Sequence, residues 1–151
     1  MYSHILISTD GSDVAQKGVD HGLSLAKSLG ARVTIVTVSE GFPIVYAQAG
    51  ITGTWVPGSQ EIAQFEAAQK EIAEKTLAAA EAAAKKLGVP ADTVHVPGAH
   101  PAEAIVETAK ARDCSLIVMA SHGRRGLRRL VLGSQTSEVL AHSPVPVLVV
   151  R

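Results

Sequence analysis

Short apolar runs alternate with longer amphipathic segments along the whole chain. The runs are rich in valine and isoleucine and are bounded by glycine, proline or small polar residues, which is typical of buried strands. The segments between them repeat apolar residues every three or four positions, as helices packed on a sheet do. We predict strands at residues 4–8, 31–38, 93–96, 115–119 and 145–150.

Helix start and stop signals lie between these runs. Asp10-Gly11-Ser12 supplies turn and cap residues after the first strand, and Gly30 follows the first helical pattern. Residues 41–58 hold four glycines and two prolines and are predicted to be irregular. The predicted helices cover about residues 13–29, 61–87, 101–112 and 135–142.

This order of elements predicts a single α/β domain over residues 1–151. Continuous apolar strands separated by helices indicate a parallel sheet with helices on both faces. With right-handed crossovers, the result is an open, doubly wound, five-stranded, Rossmann-like sheet with strand order 3-2-1-4-5. A chain of 151 residues with 46% hydrophobic content can bury one core of this kind.

The topology also predicts where a ligand binds. In open α/β sheets, ligands bind beyond the carboxyl ends of the strands, where the winding direction reverses. The reversal lies between the first strand, whose end is Ser8-Thr9-Asp10, and the fourth, whose end is Met119-Ala120-Ser121. Val38, at the end of the second strand, flanks the same crevice and suits the apolar face of a base.

The segment after the fourth strand carries the most specific chemistry of the chain. A glycine-rich loop that joins a strand to a helix can direct backbone N–H groups at phosphate oxygens, and the helix dipole favours the negative charge. Hydroxyl groups at the helix start add donors, and two loop arginines can offset phosphate charge. The candidate residues are Ala120, Ser121, His122, Gly123, Arg124, Arg125 and Gly126 in the loop, and Gly133, Ser134, Gln135 and Thr136 at the helix start.

The spacing excludes two other phosphate-binding loops. A Walker loop needs G-x-x-x-x-G-K-[ST], and no lysine precedes Ser134. The dinucleotide fingerprint G-x-G-x-x-G is absent, because Gly123 and Gly126 have no glycine two positions before them. The loop chemistry itself indicates a mononucleotide phosphate site.

The pattern resembles that of the universal stress protein family, whose ATP-binding members carry G-x2-G-x9-G-[ST]. On this chain the motif falls on Ala120, Gly123, Gly133 and Ser134, so that alanine replaces its first glycine. Alanine matters there only if the backbone has a positive φ angle or touches the ligand closely. The resemblance covers nearly the whole chain, from the first strand and its D-G-S turn to the final P-V-P-V-L-V-V.

The resemblance implies a ligand, a set of contacts and an assembly. The ligand would be ATP, ADP or AMP, with Mg²⁺ held by Asp10. Asp10 would lie near the ribose and phosphates, the backbone at Val38 would contact adenine, and the loop and helix start would hold the ribose and phosphates. The final strand would pair antiparallel with its copy in a second subunit, giving a homodimer or a higher oligomer. A protein of this kind would act on a signalling partner that the sequence does not name.

The charge and composition of the chain limit the classes of binding partner that we expect. The formal net charge is zero and the isoelectric point is about 7.0, so no global field attracts nucleic acid or an anionic membrane. The arginines at 124, 125, 128 and 129 are therefore interpreted as a solvated loop with one or two phosphate contacts. The single cysteine, Cys114, suits a reducing cytoplasm, and no apolar stretch reaches the roughly 18 residues of a membrane span. The chain begins without a basic region or cleavage signal, which also favours the cytoplasm.

Some of these residues have structural alternatives. Asp10 can cap the first helix instead of binding a ligand or a metal ion, although Ser12 can do so alone. Gly133-Ser134 can be an ordinary helix start. For His122 we prefer the interpretation of a loop histidine bonded to backbone.

Three functions remain open from the sequence. The first is an ATP-binding regulatory module of the stress response with at most slow hydrolysis, since Asp10 is the only acidic residue expected at the crevice. The second is an adenylyl-transferring enzyme of a related fold, which would carry S-G-G-x-D-S where this chain has S-T-D-G-S at residues 8–12. The third is a nucleotide-free dimeric scaffold, which Ala120 leaves open.

Overall fold

A computed structural model describes residues 1–43, 57–123 and 132–151 of the chain. Strands and helices alternate strictly through these residues. The strands are β1 (His4–Ser8), β2 (Arg32–Ser39), β3 (Ala91–Pro97), β4 (Leu116–Ala120) and β5 (Val147–Val150). The helices are α1 (Asp13–Leu29), α2 (Ser59–Leu87), α3 (Pro101–Ala111) and α4 (Ser134–His142).

The five strands of the described residues form one parallel sheet in the order β3-β2-β1-β4-β5. β1 lies at the centre of the sheet, where Ile7 pairs with Ile35 of β2 on one side and with Val118 of β4 on the other. The predicted fold class and strand order are therefore confirmed. The winding direction reverses between β1 and β4, as predicted.

Some element bounds differ from the predicted ones for local reasons. β5 begins at Val147 instead of residue 145, because Pro146 has no N–H for the ladder and contributes only its carbonyl, which accepts from Ile117 N at 3.0 Å. α2 begins two residues earlier than predicted. There the Glu61 carboxylate accepts from Gly58 N at 3.1 Å, which is the half of a capping box that a glycine N-cap allows.

Apolar side chains cover both faces of the sheet, which explains why the strands are apolar throughout. Successive strand residues point to opposite faces. Ile5 and Ile7 face α1 and α2, whereas Leu6 joins the cluster under α3 and α4, and all three are fully buried. The fold is thus a three-layer sandwich whose central layer is the sheet.

Two glycines let α1 lie close to the sheet. A Cβ atom at Gly22 would lie 2.6 Å from Cδ1 of Ile7, and one at Gly18 would lie 3.2 Å from the backbone N of Ala120. The glycine at position 18 therefore brings the first turns of α1 against the carboxyl end of β4. This contact helps to define the edge of the sheet where the ligand site was predicted.

Helix α2 has 29 residues and would be about 44 Å long at the usual rise per residue. Its fully buried residues begin only at Ala73, so the earlier turns extend beyond the core. The Phe65 ring on those turns contacts the Phe42 ring edge-on, with centroids 5.2 Å apart. No helix within the described ranges combines the length and apolar character needed to cross a membrane.

Candidate functional site

A cleft of about 530 Å³ opens at the carboxyl ends of β1, β2 and β4. It lies at the predicted reversal of winding and is walled by the starts of α3 and α4 and by the middle of α2. Eleven of the predicted site residues line it: Ser8, Thr9, Asp10, Val38, Ala120, His122, Gly123, Gly133, Ser134, Gln135 and Thr136. Arg124, Arg125 and Gly126 lie outside the described residues, and Ser121 lies behind the cleft wall.

The turn after β1 satisfies most of its own donors. The Thr9 hydroxyl accepts from Gly11 N at 3.2 Å, and Gly11 has the positive φ of 77° that such a turn requires of glycine. The Ser12 hydroxyl accepts from Ala15 N at 3.2 Å and so caps α1. Thr9 is also held from β2, because the Thr37 hydroxyl donates to its carbonyl at 2.8 Å.

Asp10 does not cap α1, since Ser12 does. Its Oδ1 accepts from Ser12 N at 2.9 Å, which closes a turn and directs the carboxylate toward β4. A Cβ atom at Gly123 would lie 2.6 Å from Oδ2 of Asp10. The predicted glycine therefore makes room for the predicted carboxylate, and the two strand ends meet there.

Ala120 occupies the first glycine position of the motif without backbone strain. It lies within β4, and the non-glycine residue with positive φ in the described part of the chain is Asp113. Its carbonyl accepts from the Thr136 hydroxyl at 3.0 Å. Of the two conditions under which alanine would matter, the conformational one is therefore not met.

Ser121 connects β4, β5 and α4. Its N–H donates to the Val150 carbonyl at 2.8 Å, and its carbonyl accepts from Gly133 N at 2.7 Å. The hydroxyl lies 3.1 Å from Nδ1 of His122. Because Ser121 is only 4% exposed, its groups position the loop instead of facing the cleft.

Gly133 is needed for space, since its φ of −68° suits any residue. A Cβ atom at this position would lie 3.1 Å from Cα of His122 and 3.3 Å from the Ser121 carbonyl oxygen. As the N-cap of α4, Gly133 brings no side chain to the orphan N–H groups of the first turn. The start of α4 therefore reaches the cleft with its backbone exposed to an incoming group.

The side chains of that first turn are directed elsewhere. Gln135 Oε1 accepts from Ala102 N at 3.0 Å, so it caps the start of α3, where His100 makes no side-chain cap. Thr136 is buried and bonded to β4. Ser134 is exposed at the mouth of the cleft. Among these three residues, the hydroxyl of Ser134 is thus the side-chain donor best placed for a ligand.

A second contact joins α4 to the start of α3. His100 Nε2 lies 2.9 Å from a carboxylate oxygen of Glu138. This hydrogen bond, with smaller effects from the nearby carboxylates, raises the pKa of His100 above its usual value. The start of α3 is therefore held by two side chains of α4, those of Gln135 and Glu138.

The opposite wall was missed by sequence reasoning. Gln69, Ile72 and Thr76 of α2 line the cleft, and so does Glu40 after β2. Ile72 is 44% exposed and stands three residues after Gln69 and four before Thr76, the spacing of one helical face. The expectation that Asp10 is the only acidic residue at the crevice is wrong, because Glu40 follows β2 directly into the cleft.

Two titratable residues lie at the other end of the sheet. Burial raises the pKa of the Cys114 thiol to about 11, so the thiol is protonated at neutral pH. Burial and the nearby Arg32 lower the pKa of His4, whose Nε2 lies 2.8 Å from the Thr34 hydroxyl. Residues 1–43, 57–123 and 132–151 contain no group of three or more histidine, cysteine or acidic side chains that could hold a metal ion.

Comparison with known proteins gives a family over the full length. The sequence pattern of the universal stress protein family matches residues 1–151. Universal stress protein YxiE of Bacillus subtilis is 36% identical over 152 residues, which cover 100% of both chains.

Solved structures agree with the sequence comparison. The structure of MJ0577, a universal stress protein of Methanocaldococcus jannaschii, superposes with a TM-score of 0.82 at 26% identity, over 99% of this chain and 96% of that one. Universal stress proteins in complex with cAMP and, from Archaeoglobus fulgidus, with dAMP share the fold, with TM-scores of 0.72 and 0.66. The cAMP complex is 23% identical in sequence, and its alignment covers 99% of this chain and 97% of that one. The dAMP complex is 21% identical, and its alignment covers 99% of this chain and 98% of that one. Sequence and fold thus agree over the whole chain, which belongs to the universal stress protein family.

Proposed function

We propose that this protein binds an adenine nucleotide in the cleft and acts as a regulatory module of the stress response. ATP, ADP and AMP are the proposed ligands. The phosphates would lie at the start of α4, the ribose over the turn after β1, and the base at the end of β2. The proposed contact residues are those of the predicted site apart from Ser121, which lies behind the cleft wall, and they include the loop residues Arg124, Arg125 and Gly126.

The observation that carries this proposal is the open first turn of α4. Its N-cap is a glycine pressed against the backbone of His122, and the side chains of Gln135 and Thr136 are bonded elsewhere. Backbone N–H groups and the positive end of the helix dipole are therefore available to an anion. A ligand phosphate would satisfy them.

The spacing of the strands supports a mononucleotide. β2 and β4 are separated by β1 alone, so their ends lie about 10 Å apart at the usual strand spacing. That distance suits a base at β2 and a phosphate beyond β4, with the ribose between them. Two fold relatives were solved with cyclic AMP and with deoxy-AMP, which supports adenine as the base.

Mg²⁺ would bind through the phosphates and Asp10. Magnesium commonly uses one or two carboxylates together with phosphate oxygens, and the described residues offer no larger cluster of ligands. Asp10 is a single carboxylate beside the proposed phosphates, and no lysine of the described residues stands next to it to stabilise the transferred phosphoryl group. Any ATP hydrolysis is therefore expected to be slow. The cytoplasm is the proposed location, which the one buried cysteine suits.

Calorimetry with ATP, ADP and AMP tests the ligand, and the absorbance of the denatured, filtered protein tests for nucleotide retained from the cell. Saturable binding to one site per chain is expected. If no adenine nucleotide binds and none is released on denaturation, the scaffold alternative replaces this proposal. Rapid conversion of ATP to AMP and pyrophosphate would instead identify an adenylyl-transferring enzyme.

We also propose a homodimer through β5. This strand is at the edge of the sheet, and its four residues are only partly buried. An exposed apolar edge favours pairing with another chain, and antiparallel self-pairing gives a two-fold dimer. Val149→Pro removes an N–H from the middle of the strand and is expected to yield monomer in sedimentation equilibrium. A wild-type monomer at micromolar concentration, or a variant that stays dimeric, would refute the edge model.

A further inference from the structure

A serine and a histidine form a hydrogen-bonded pair at the end of the cleft where β2 stops. Ser39 Oγ lies 2.7 Å from His95 Nε2. In the β2–β3 register, Thr37 is opposite His95 and Ser39 is opposite Pro97, so Ser39 and His95 are diagonal neighbours on one face of the sheet. Ser39 lines the cleft and is 9% exposed.

Backbone hydrogen bonds fix the position of Ser39 independently of its side-chain contact with His95. Its carbonyl accepts from Ala99 N at 3.3 Å, and the β2–β3 ladder continues to Pro97. The neighbouring Val38 points to the other face, into the apolar cluster under α3 and α4. Two hydroxyls of β2 line the cleft. That of Thr37 donates its proton to the Thr9 carbonyl, whereas that of Ser39 lies at the last position of the strand.

The hydrogen-bond capacity of the pair is unequal. A serine hydroxyl has one proton and two acceptor positions, and a neutral imidazole has one donor and one acceptor nitrogen. At a buried position, an unused donor is less common than an unused acceptor position. In the tautomer whose Nε2 is unprotonated, Ser39 donates its proton to His95 and the hydroxyl can only accept from a ligand; the selection proposed below requires this tautomer.

We propose that Ser39, held by His95, selects purines that carry a 6-amino group over those that carry a 6-oxo group. The inference rests on the proposed function, because it places the base at the end of β2. Adenine would donate its amino proton to Ser39 Oγ. The oxygen of a 6-oxo purine has no proton to donate. Its lone pairs would face those of Ser39 Oγ, and no hydrogen bond would form between the two atoms.

The test compares ATP with ITP by calorimetry on the full-length chain. ITP differs from ATP in its 6-oxo group and in the proton that its N1 then carries, so Ser39→Ala is needed to assign the preference to the 6-position. Guanine also carries a 2-amino group that could donate to Glu40. Wild type is expected to bind ATP at least about tenfold more tightly than ITP, the usual size for one hydrogen bond at a buried group. In Ser39→Ala, the affinity for ATP falls and the ratio approaches one.

Two further variants separate orientation from general damage. His95→Leu should lower the ratio as Ser39→Ala does, because the hydroxyl loses its orienting partner, while His95→Gln keeps a polar partner and should restore part of it. Ser134→Ala, at the phosphate end, should weaken ATP and ITP equally. A role in folding alone would not change the ratio.

The outcomes distinguish this inference from the proposed function. If wild type binds both nucleotides equally, or ITP more tightly, the selection by Ser39 is refuted while nucleotide binding stands. A preference for ATP that survives Ser39→Ala also refutes it, since another group then reads the base. If neither nucleotide binds, the proposed function fails and the inference fails with it.

Discussion

Two helices of this protein begin with the same three residues, Gly-Ser-Gln, and only one of them begins at the cleft. α2 starts at Gly58-Ser59-Gln60 and α4 at Gly133-Ser134-Gln135. The N-cap glycines have nearly the same backbone angles, with φ and ψ of −69° and 157° in α2 and −68° and 156° in α4. The local sequence and local conformation are therefore matched.

The surroundings of the two helix starts differ. A Cβ atom at Gly58 would meet none of the described residues within 4 Å, whereas one at Gly133 would press on His122. Glu61 accepts from the N-cap N–H of α2, so that helix is capped by its own sequence. In α4 the residue at the same position is Thr136, which is bonded to β4 instead. The tripeptide alone therefore does not decide what surrounds a helix start; β4 and the Ser121-His122 segment after it do so for α4.

The strongest test of this comparison is a matched pair of glycine substitutions. Gly133→Val should abolish ATP binding, because the side chain closes the approach to the helix start and displaces the His122 backbone. Gly58→Val introduces the same group at the same backbone angles in open space and should leave the ATP affinity unchanged. Calorimetry gives the affinities, and circular dichroism checks that both variants fold. Unchanged ATP affinity in folded Gly133→Val would make the α4 start purely structural.

A carboxylate at the first residue after each N-cap glycine tests whether a negatively charged ligand lies at that helix start. Ser134→Asp should weaken ATP binding by about tenfold or more, because like charges meet at short range. Ser59→Asp should not change it. Both variants should raise the free energy of unfolding by about 0.3–1 kcal/mol, since each places an acid in the first turn of a helix. Calorimetry and urea unfolding measure the two effects, and equal ATP affinities would show that no phosphate lies at α4.

The glutamines of the two tripeptides should differ in stability. Gln135→Ala removes the cap of α3 and is expected to lower the free energy of unfolding by about 1 kcal/mol. Gln60 is exposed, and Gln60→Ala should stay within about 0.5 kcal/mol of wild type. Urea unfolding measures both. A loss of the same size in both variants would mean that the bond from Gln135 to Ala102 contributes little.

The smallest effect concerns the second contact of α4 with α3. Glu138 raises the pKa of His100 in the folded state. The contact between His100 and Glu138 therefore stabilises the fold below the pKa that histidine has in the unfolded chain, and this stabilisation is lost as the pH rises through the pKa of His100 in the folded protein. An NMR titration of the His100 ring should give a midpoint above the usual histidine value, and Glu138→Gln should lower it. A midpoint that does not move on substitution would assign the shift to other groups.

The sequence was sufficient for the fold and for one wall of the cleft. Apolar runs predicted the strands, and right-handed crossovers between them predicted the strand order. Asp10 and Gly123, which are 113 positions apart, were both predicted because each follows a strand at the reversal of winding. The α2 wall could not be predicted, since periodicity shows that Ile72 lies on an apolar face but not which strand ends it meets. The pair of Ser39 and His95 depends on the β2–β3 register, which no local pattern specifies.

The hydroxyl bridges across the strand ends have a thermodynamic consequence. The Thr37 hydroxyl fixes the Thr9 carbonyl of the neighbouring strand end, and the Thr136 hydroxyl fixes the Ala120 carbonyl. The floor of the cleft is thus ordered before any ligand arrives, and little conformational entropy remains to be lost on binding. A ligand shifts a conformational equilibrium only when it binds two conformations with different affinities. Because the floor of the cleft has a single conformation, ligand binding has no second conformation to select there. Such a floor is suited to retaining a ligand, and a change of shape on binding is expected in parts of the molecule that these bridges do not reach.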